Sequence, residues 1–128
     1  MSKNGVFILL TFLFVGFDSY SKDQTIKIKN CHLDGIRAQV KCGSIQVPEN
    51  YNKSDGDHIN INFVVLPAID NSNNNTPLMF LAGGPGQAAA ELAAGLRKTF
   101  NEIRKTRDLI LVDQRGTGQS HPLQYQTH

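Results

Sequence analysis

No excess of charge marks this 128-residue chain, in which 13 Lys and Arg stand against 11 Asp and Glu for a formal net charge of +2. A balance so near neutrality, with no Lys/Arg cluster following an aromatic pattern, lacks the electrostatic footprint of a nucleic-acid binder. Phosphate loops are missing too. Neither Gly-x-x-x-x-Gly-Lys-Ser/Thr nor Gly-x-Gly-x-x-Gly spacing occurs, so no nucleotide cofactor is expected. Cysteine is scarce: Cys31 and Cys42 stand alone. Without Cys-x-x-Cys spacing or a local His pair they make half a zinc site at best, and no metal is expected. No internal repeat or coiled-coil heptad is visible. The hydrophobic share of 40% and charged share of 19% nonetheless match an ordinary globular protein, which excludes a wholly disordered chain.

What is present begins with a short apolar run. Lys3 precedes Val6 to Phe17, and the polar exit Ser19-Tyr20-Ser21-Lys22-Asp23 follows. A charged start, a run too short to span a bilayer comfortably and small residues at the exit occur in the order of a secretory signal. The expectation is a signal peptide over residues 1–21, cleaved after Ser21, with Gly16 to Asp18 as a second cleavage region. Rival readings of the run are a buried strand or an uncleaved anchor. Cleavage would leave residues 22–128 with no stable membrane anchor, exported to a periplasmic or extracellular space. In such an oxidising compartment Cys31 and Cys42 are expected to form a disulfide, worth roughly 3 kcal/mol in the chain-entropy model.

Hydrophobic periodicity lays out the remaining elements. Thr25 to Lys29 alternates as a short strand, while Asn30 to Lys41 is mixed and reads as a loop held by the cysteines. Ile45 and Val47 share a face at the two-residue period, and Pro48 ends that strand because it cannot donate to a ladder. After a polar turn over Glu49 to Asp57, His58 to Ala68 alternates and then becomes wholly apolar, which completes an antiparallel hairpin. Ile69 to Pro77, rich in asparagine, is a solvated connection. Leu78 to Ala82 is expected to be a strand buried on both faces. Helix formers dominate Gln87 to Arg104, where Leu92, Leu96, Phe100 and Ile103 recur at helical spacing and Gly95 marks a kink or break. Leu109 to Val112 is another buried strand. Strand, helix, strand implies a right-handed parallel crossover.

Both apolar strands end in glycine-rich corners, Gly83-Gly84-Pro85-Gly86 and Asp113-Gln114-Arg115-Gly116-Thr117-Gly118-Gln119-Ser120. Together they resemble the α/β-hydrolase serine aminopeptidases of the proline iminopeptidase and secreted tripeptidyl aminopeptidase type. The early pattern Cys42-Gly43-x-Ile45-x-Val47-Pro48-Glu49 extends the resemblance over about residues 31 to 123. Ala82 departs from the His that commonly precedes this turn in proline iminopeptidases, which brings the tripeptidyl type closer. The resemblance implies an α/β class, here the N-terminal part of an α/β-hydrolase fold: an antiparallel hairpin leading into parallel strand-helix-strand, with an incomplete sheet. Such folds take roughly 250 residues or more, and this chain contains no Gly-x-Ser-x-Gly, so it reads as truncated before the nucleophile elbow.

The resemblance also implies the chemistry. Acyl transfer needs fixed donors for a developing oxyanion, and backbone N–H groups in a glycine turn serve because no Cβ blocks the approach. Gly84 is the candidate oxyanion donor, supported by Gly83, Pro85 and Gly86; the rival reading is a plain strand-to-helix corner. Asp113, Arg115, Gly116 and Gly118 are expected to be architectural, through accepted backbone bonds and bracing of neighbouring loops. Ser120 fails as nucleophile because Pro122 stands where the elbow requires a small residue. His32, His58 and His128 are expected at the surface. The whole enzyme would hydrolyse peptide bonds near substrate N-termini, with peptide as its partner and an oligomeric state left open, while this chain would lack the catalytic Ser, Asp and His. An esterase on the same fold and a non-catalytic secreted module are the alternatives.

Overall fold

The computed structural model describes residues 26–53, 55–72 and 75–123. The signal segment 1–21 and His128 lie outside them. Five strands form one open mixed sheet in the order β1-β2-β3-β5-β4: β1 Lys27–Leu33, β2 Ile36–Pro48, β3 His58–Leu66, β4 Leu78–Leu81 and β5 Leu109–Val112. Neighbours run antiparallel from β1 to β5, and only β4 runs parallel to its neighbour β5. Helix is sparse. A seven-residue α1, Ala93–Thr99, is flanked by 3₁₀ turns at Ala90–Leu92 and Ile103–Lys105.

The register divides the sheet into two faces. Val64 and Leu66 of β3 align with Leu111 and Leu109 of β5, which align in turn with Phe80 and Leu78 of β4. These side chains, with Ile36, Val40, Ala82, Ala89 and Ala93, make the core, and Leu92, Leu96 and Phe100 pack onto it. Leu66, Leu109 and Leu111 are fully buried. The opposite face carries Ile28, Phe63, Val65, Met79, Leu81, Ile110 and Val112. Ile28, Met79 and Leu81 there are 55%, 59% and 50% exposed. Gly43 pairs with Phe63 on this face, and the Phe63 ring occupies the space that a Gly43 side chain would take. The result is an open sheet with one packed face, compatible with part of an α/β domain.

Four expectations are corrected. Asn30 to Lys41 is not a loop: β1 runs to Leu33, Asp34-Gly35 makes a tight turn with Gly35 at φ 75°, and β2 starts at Ile36. A register shift between Cys31↔Val40 and Leu33↔Ile36 puts three residues, Arg37 to Gln39, opposite His32 alone. Ile36 and Val40, four apart, bury on one face as strand geometry requires, but Ala38 between them lies in the bulge and is exposed, which interrupts the two-residue period in the sequence. The strand expected over Thr25 to Lys29 is correspondingly longer and begins at Lys27.

β4 is not buried on both faces, because it is an edge strand with the core on one side only. The single helix expected over Gln87 to Arg104 is interrupted after Thr99, whereas Gly95 lies inside α1. Phe100 leaves helical geometry as its ring meets Phe80 at 6.1 Å. Beyond it the carbonyls of Arg104 and Lys105 accept the N–H groups of Ile69 and Asp70 at 2.8 and 3.0 Å. Arg104 is buried, its guanidinium donating to the Pro67 carbonyl at 2.7 Å while Nε has no partner. Burial pushes its pKa below the ordinary value, Arg97 adds to the shift and Asp108 opposes it.

The predicted cysteine pair is joined. Cys31 and Cys42 form a disulfide with Cα atoms 5.8 Å apart, tying β1 to β2.

Candidate active site

Because β4 and β5 are parallel neighbours, their carboxyl ends lie side by side, and the two glycine-rich turns leave the sheet at the same end. Open α/β sheets place ligand crevices at this end. Gly84 and Gly86 have φ of 75° and 86°, a left-handed conformation that L side chains rarely adopt, so the backbone path itself selects glycine there. Gly83 differs. Its φ is not positive, and a side chain at Gly83 would meet no atom within 4 Å, so nothing in the described residues accounts for glycine at this position.

Residues Gly83 to Gln87 are exposed, and among the described residues no acceptor engages the Gly84 N–H, although the Gly84 carbonyl accepts from Gln87 N–H at 3.4 Å. The turn therefore presents a free donor to solvent. Two surface hollows, of about 780 and 290 Å³, lie at the Glu49–Asp57 turn and beside Lys27 to Lys29; neither is lined by a residue of the glycine-rich turns.

The second turn is a bracket. Asp113 is 2% exposed; its Oδ1 accepts Ala90 N–H at 2.9 Å and its Oδ2 accepts Gln119 N–H at 3.3 Å. Its own N–H donates to the Asn62 carbonyl at 3.0 Å. Gly118 packs so closely that a Cβ there would overlap the Asp113 carboxylate and sit 2.7 Å from Ala88 Cβ. Arg115 donates to the carbonyls of Glu49 and Pro48, and its guanidinium lies 5.9 Å from the Tyr51 ring centre. Gly116, at φ 83°, donates to the Ser120 carbonyl at 2.8 Å.

Ser120 is fully buried, and its Oγ accepts the Asn62 N–H at 2.7 Å. A hydroxyl with no access to solvent and a lone pair already committed to a backbone donor is a clasp for β3. His121 follows at φ 54°, and His32 and His58 are exposed on β1 and β3. Among the described residues no group of three or more His, Cys, Asp or Glu is placed to hold a metal, and no helix is long and apolar enough to cross a membrane.

Sequence reasoning missed two members of this assembly. Asn62 takes part through its backbone and its side-chain amide, which donates to the Gln119 carbonyl. Ala90 takes part through its N–H alone. The available signal for Ala90 was negative: Gln87 to Ala89 offers no Ser, Thr, Asp or Asn to cap the helical segment.

An open α/β-type sheet with two glycine-rich turns at the carboxyl ends of adjacent parallel strands is the class this geometry defines. No protein-family profile matches the chain. It is similar to proteins named Serine protease Hip1 from Mycobacterium bovis and Mycobacterium tuberculosis, with 32% identity over 82 residues. The match covers 63% of this chain and 15% of theirs, so the chain spans a small part of the length of these curated relatives. The likeness supports a relationship to serine proteases. Together with the disulfide it also favours export.

Proposed function

We propose that this chain is the N-terminal part of an exported α/β-hydrolase serine aminopeptidase, in which it supplies one oxyanion donor, the Gly84 N–H. The observation that carries this reading is a left-handed glycine at the carboxyl end of a parallel strand, exposed and with its N–H unengaged. Fixed backbone dipoles of this kind stabilise the charge that develops on a carbonyl oxygen during acyl transfer. The other donor would come from the residue after a nucleophilic serine.

Topology favours where that serine would stand. The free edge of β4 accepts one further strand, and a parallel one would end beside Gly83 to Gly86. A serine in its strand-to-helix turn would then face Gly84, with a histidine taking its proton and an acid orienting the histidine. The side chain missing at Gly83 leaves room for such an approach. The uncovered edge and apolar face speak against a self-sufficient binding module. Peptide is the substrate class the resemblance implies, with cleavage near the N-terminus.

By itself the chain holds no nucleophile elbow and is expected to turn over neither peptide amides nor esters. A chimera tests the donor: the matched 82-residue stretch of a mycobacterial Serine protease Hip1 is replaced by that of this chain. Gly84→Pro removes the N–H, and kcat is expected to fall by about a hundredfold or more, as for loss of one oxyanion donor. Circular dichroism and thermal melting confirm folding, with Gly95→Ala in α1 as control. A folded Gly84→Pro chimera with near-parental kcat would reduce Gly83 to Gly86 to a corner.

A further inference from the structure

The first residues of a helical segment carry backbone N–H groups with no partner inside the helix, and a side chain just before the segment usually satisfies one. Here Ala89 stands at that place and makes no side-chain cap bond. The acceptor arrives from another strand end, because the buried Asp113 carboxylate accepts Ala90 N–H at 2.9 Å. The bond crosses from the second glycine-rich turn to the segment leaving the first.

We propose that Asp113 is a positioning residue for Gly84, holding the Gly83 to Gly86 turn at a fixed place relative to the end of β5; this role rests on the oxyanion reading of Gly84. Upstream, among the described residues, the turn is anchored by the buried Ala82 and by β4, a four-residue strand paired on one side. Downstream, Gln87 N–H reaches back to the Gly84 carbonyl, Ala88 and Ala89 are buried, and Ala90 is tied to Asp113. Between these points Gly83 to Gly86 are exposed, and among the described residues a side chain at Gly83, Gly84 or Gly86 would meet nothing within 4 Å. Both anchors lead to β5.

Asp113 is itself immobilised. Its N–H is bonded to Asn62 of β3 and its second carboxylate oxygen takes Gln119 N–H. Gly118 completes the arrangement, since any Cβ there would displace the carboxylate and press on Ala88. A charged acceptor makes a stronger bond than a neutral one, and a buried one is little disturbed by water. An exposed glycine turn is thereby given the rigidity that a preorganised donor requires.

The test is NMR relaxation and amide exchange on the ¹⁵N-labelled full chain. In the parent, Gly84 is expected to show an order parameter near the rigid value of about 0.85 although its N–H is unbonded. Asp113→Ala should accelerate exchange at Ala90 at least tenfold and lower the Gly84 order parameter below about 0.6, with Val64 and Leu111 unchanged. Asp113→Asn keeps one acceptor oxygen, and where that oxygen holds Ala90 against exchange Gly84 should stay near the parental value. Gly118→Ala should loosen Gly84 while the carboxylate is still present.

Faster exchange at Ala90 with Gly84 as rigid as in the parent would overturn the proposal and leave Asp113 as a local cap. If Asp113→Ala does not fold, the other two variants decide: a rigid Gly84 in Gly118→Ala, or a mobile one in folded Asp113→Asn whose Ala90 amide is still protected, overturns it. None of these readouts involves turnover. A failed Gly84→Pro chimera test therefore leaves this result standing, and the reverse also holds.

Discussion

Reducing the Cys31–Cys42 bond should weaken this fold by an amount set by the loop it closes. The cysteines are 11 positions apart, and the chain-entropy relation gives about 3 kcal/mol for a loop of that size. Domains of this size are stable by roughly 5–15 kcal/mol, so the bond carries a substantial share. Among the described residues little else holds β1. Its burial is confined to partial cover of Cys31 and Leu33, and it pairs with β2 alone. Urea unfolding of the oxidised and the reduced chain, followed by far-ultraviolet circular dichroism, gives the difference directly. With a urea slope of about 1–3 kcal/mol/M, the midpoint should fall by about 1–3 M. Intact mass before and after reduction confirms the gain of two hydrogens, and amide exchange should show β1 losing protection before β3 and β5. Equal midpoints for the two forms would refute the entropic argument, and protein recovered from an oxidising compartment with two free thiols would remove the bond's premise.

Leu111→Ala should cost about 2–5 kcal/mol by urea titration, because a fully buried leucine between β3 and β4 leaves a cavity that the flanking strands cannot close. Ser120→Ala should cost about 1–3 kcal/mol, since the Asn62 N–H loses the hydroxyl that accepts it, and in the chimera it should leave kcat within about twofold of the parent. A turnover that disappears in Ser120→Ala would reverse the assignment of that hydroxyl as a clasp.

The strands that alternate or run wholly apolar were legible: β3, β4 and β5 fall where the period placed them, and Pro48 closes β2. What escaped depends on distant partners. The bulge at Arg37 to Gln39 breaks the two-residue period, so a continuous hairpin reads as irregular. The helix after the glycine turn is interrupted at Phe100, whose ring meets Phe80 of β4, a contact that local helix propensity does not encode. The exposure of Met79 and Leu81 was hidden for a similar reason: an edge strand and a central strand have the same apolar run, and only the neighbours distinguish them. At the candidate site, the residue types of both turns were readable, whereas the bond from Asp113 to Ala90 joins positions 23 apart and involves a backbone donor with no side-chain signature.

The edge strand β4 also bears on how the chain behaves at the concentrations needed to study it. Leu78-Met79-Phe80-Leu81-Ala82 is an uncharged, strongly apolar window, and among the described residues no strand pairs with the outer side of β4. Windows of this composition at a sheet edge are nucleation points for cross-β aggregation. The opposite edge is guarded by Lys27 and Lys29, whose charges oppose strand addition. At β4 the gatekeepers are prolines: Pro77 immediately before the window and Pro85 shortly after it restrict an intermolecular ladder to a few residues. Aggregation of the chain should thus start from the β4 side and rise steeply with concentration.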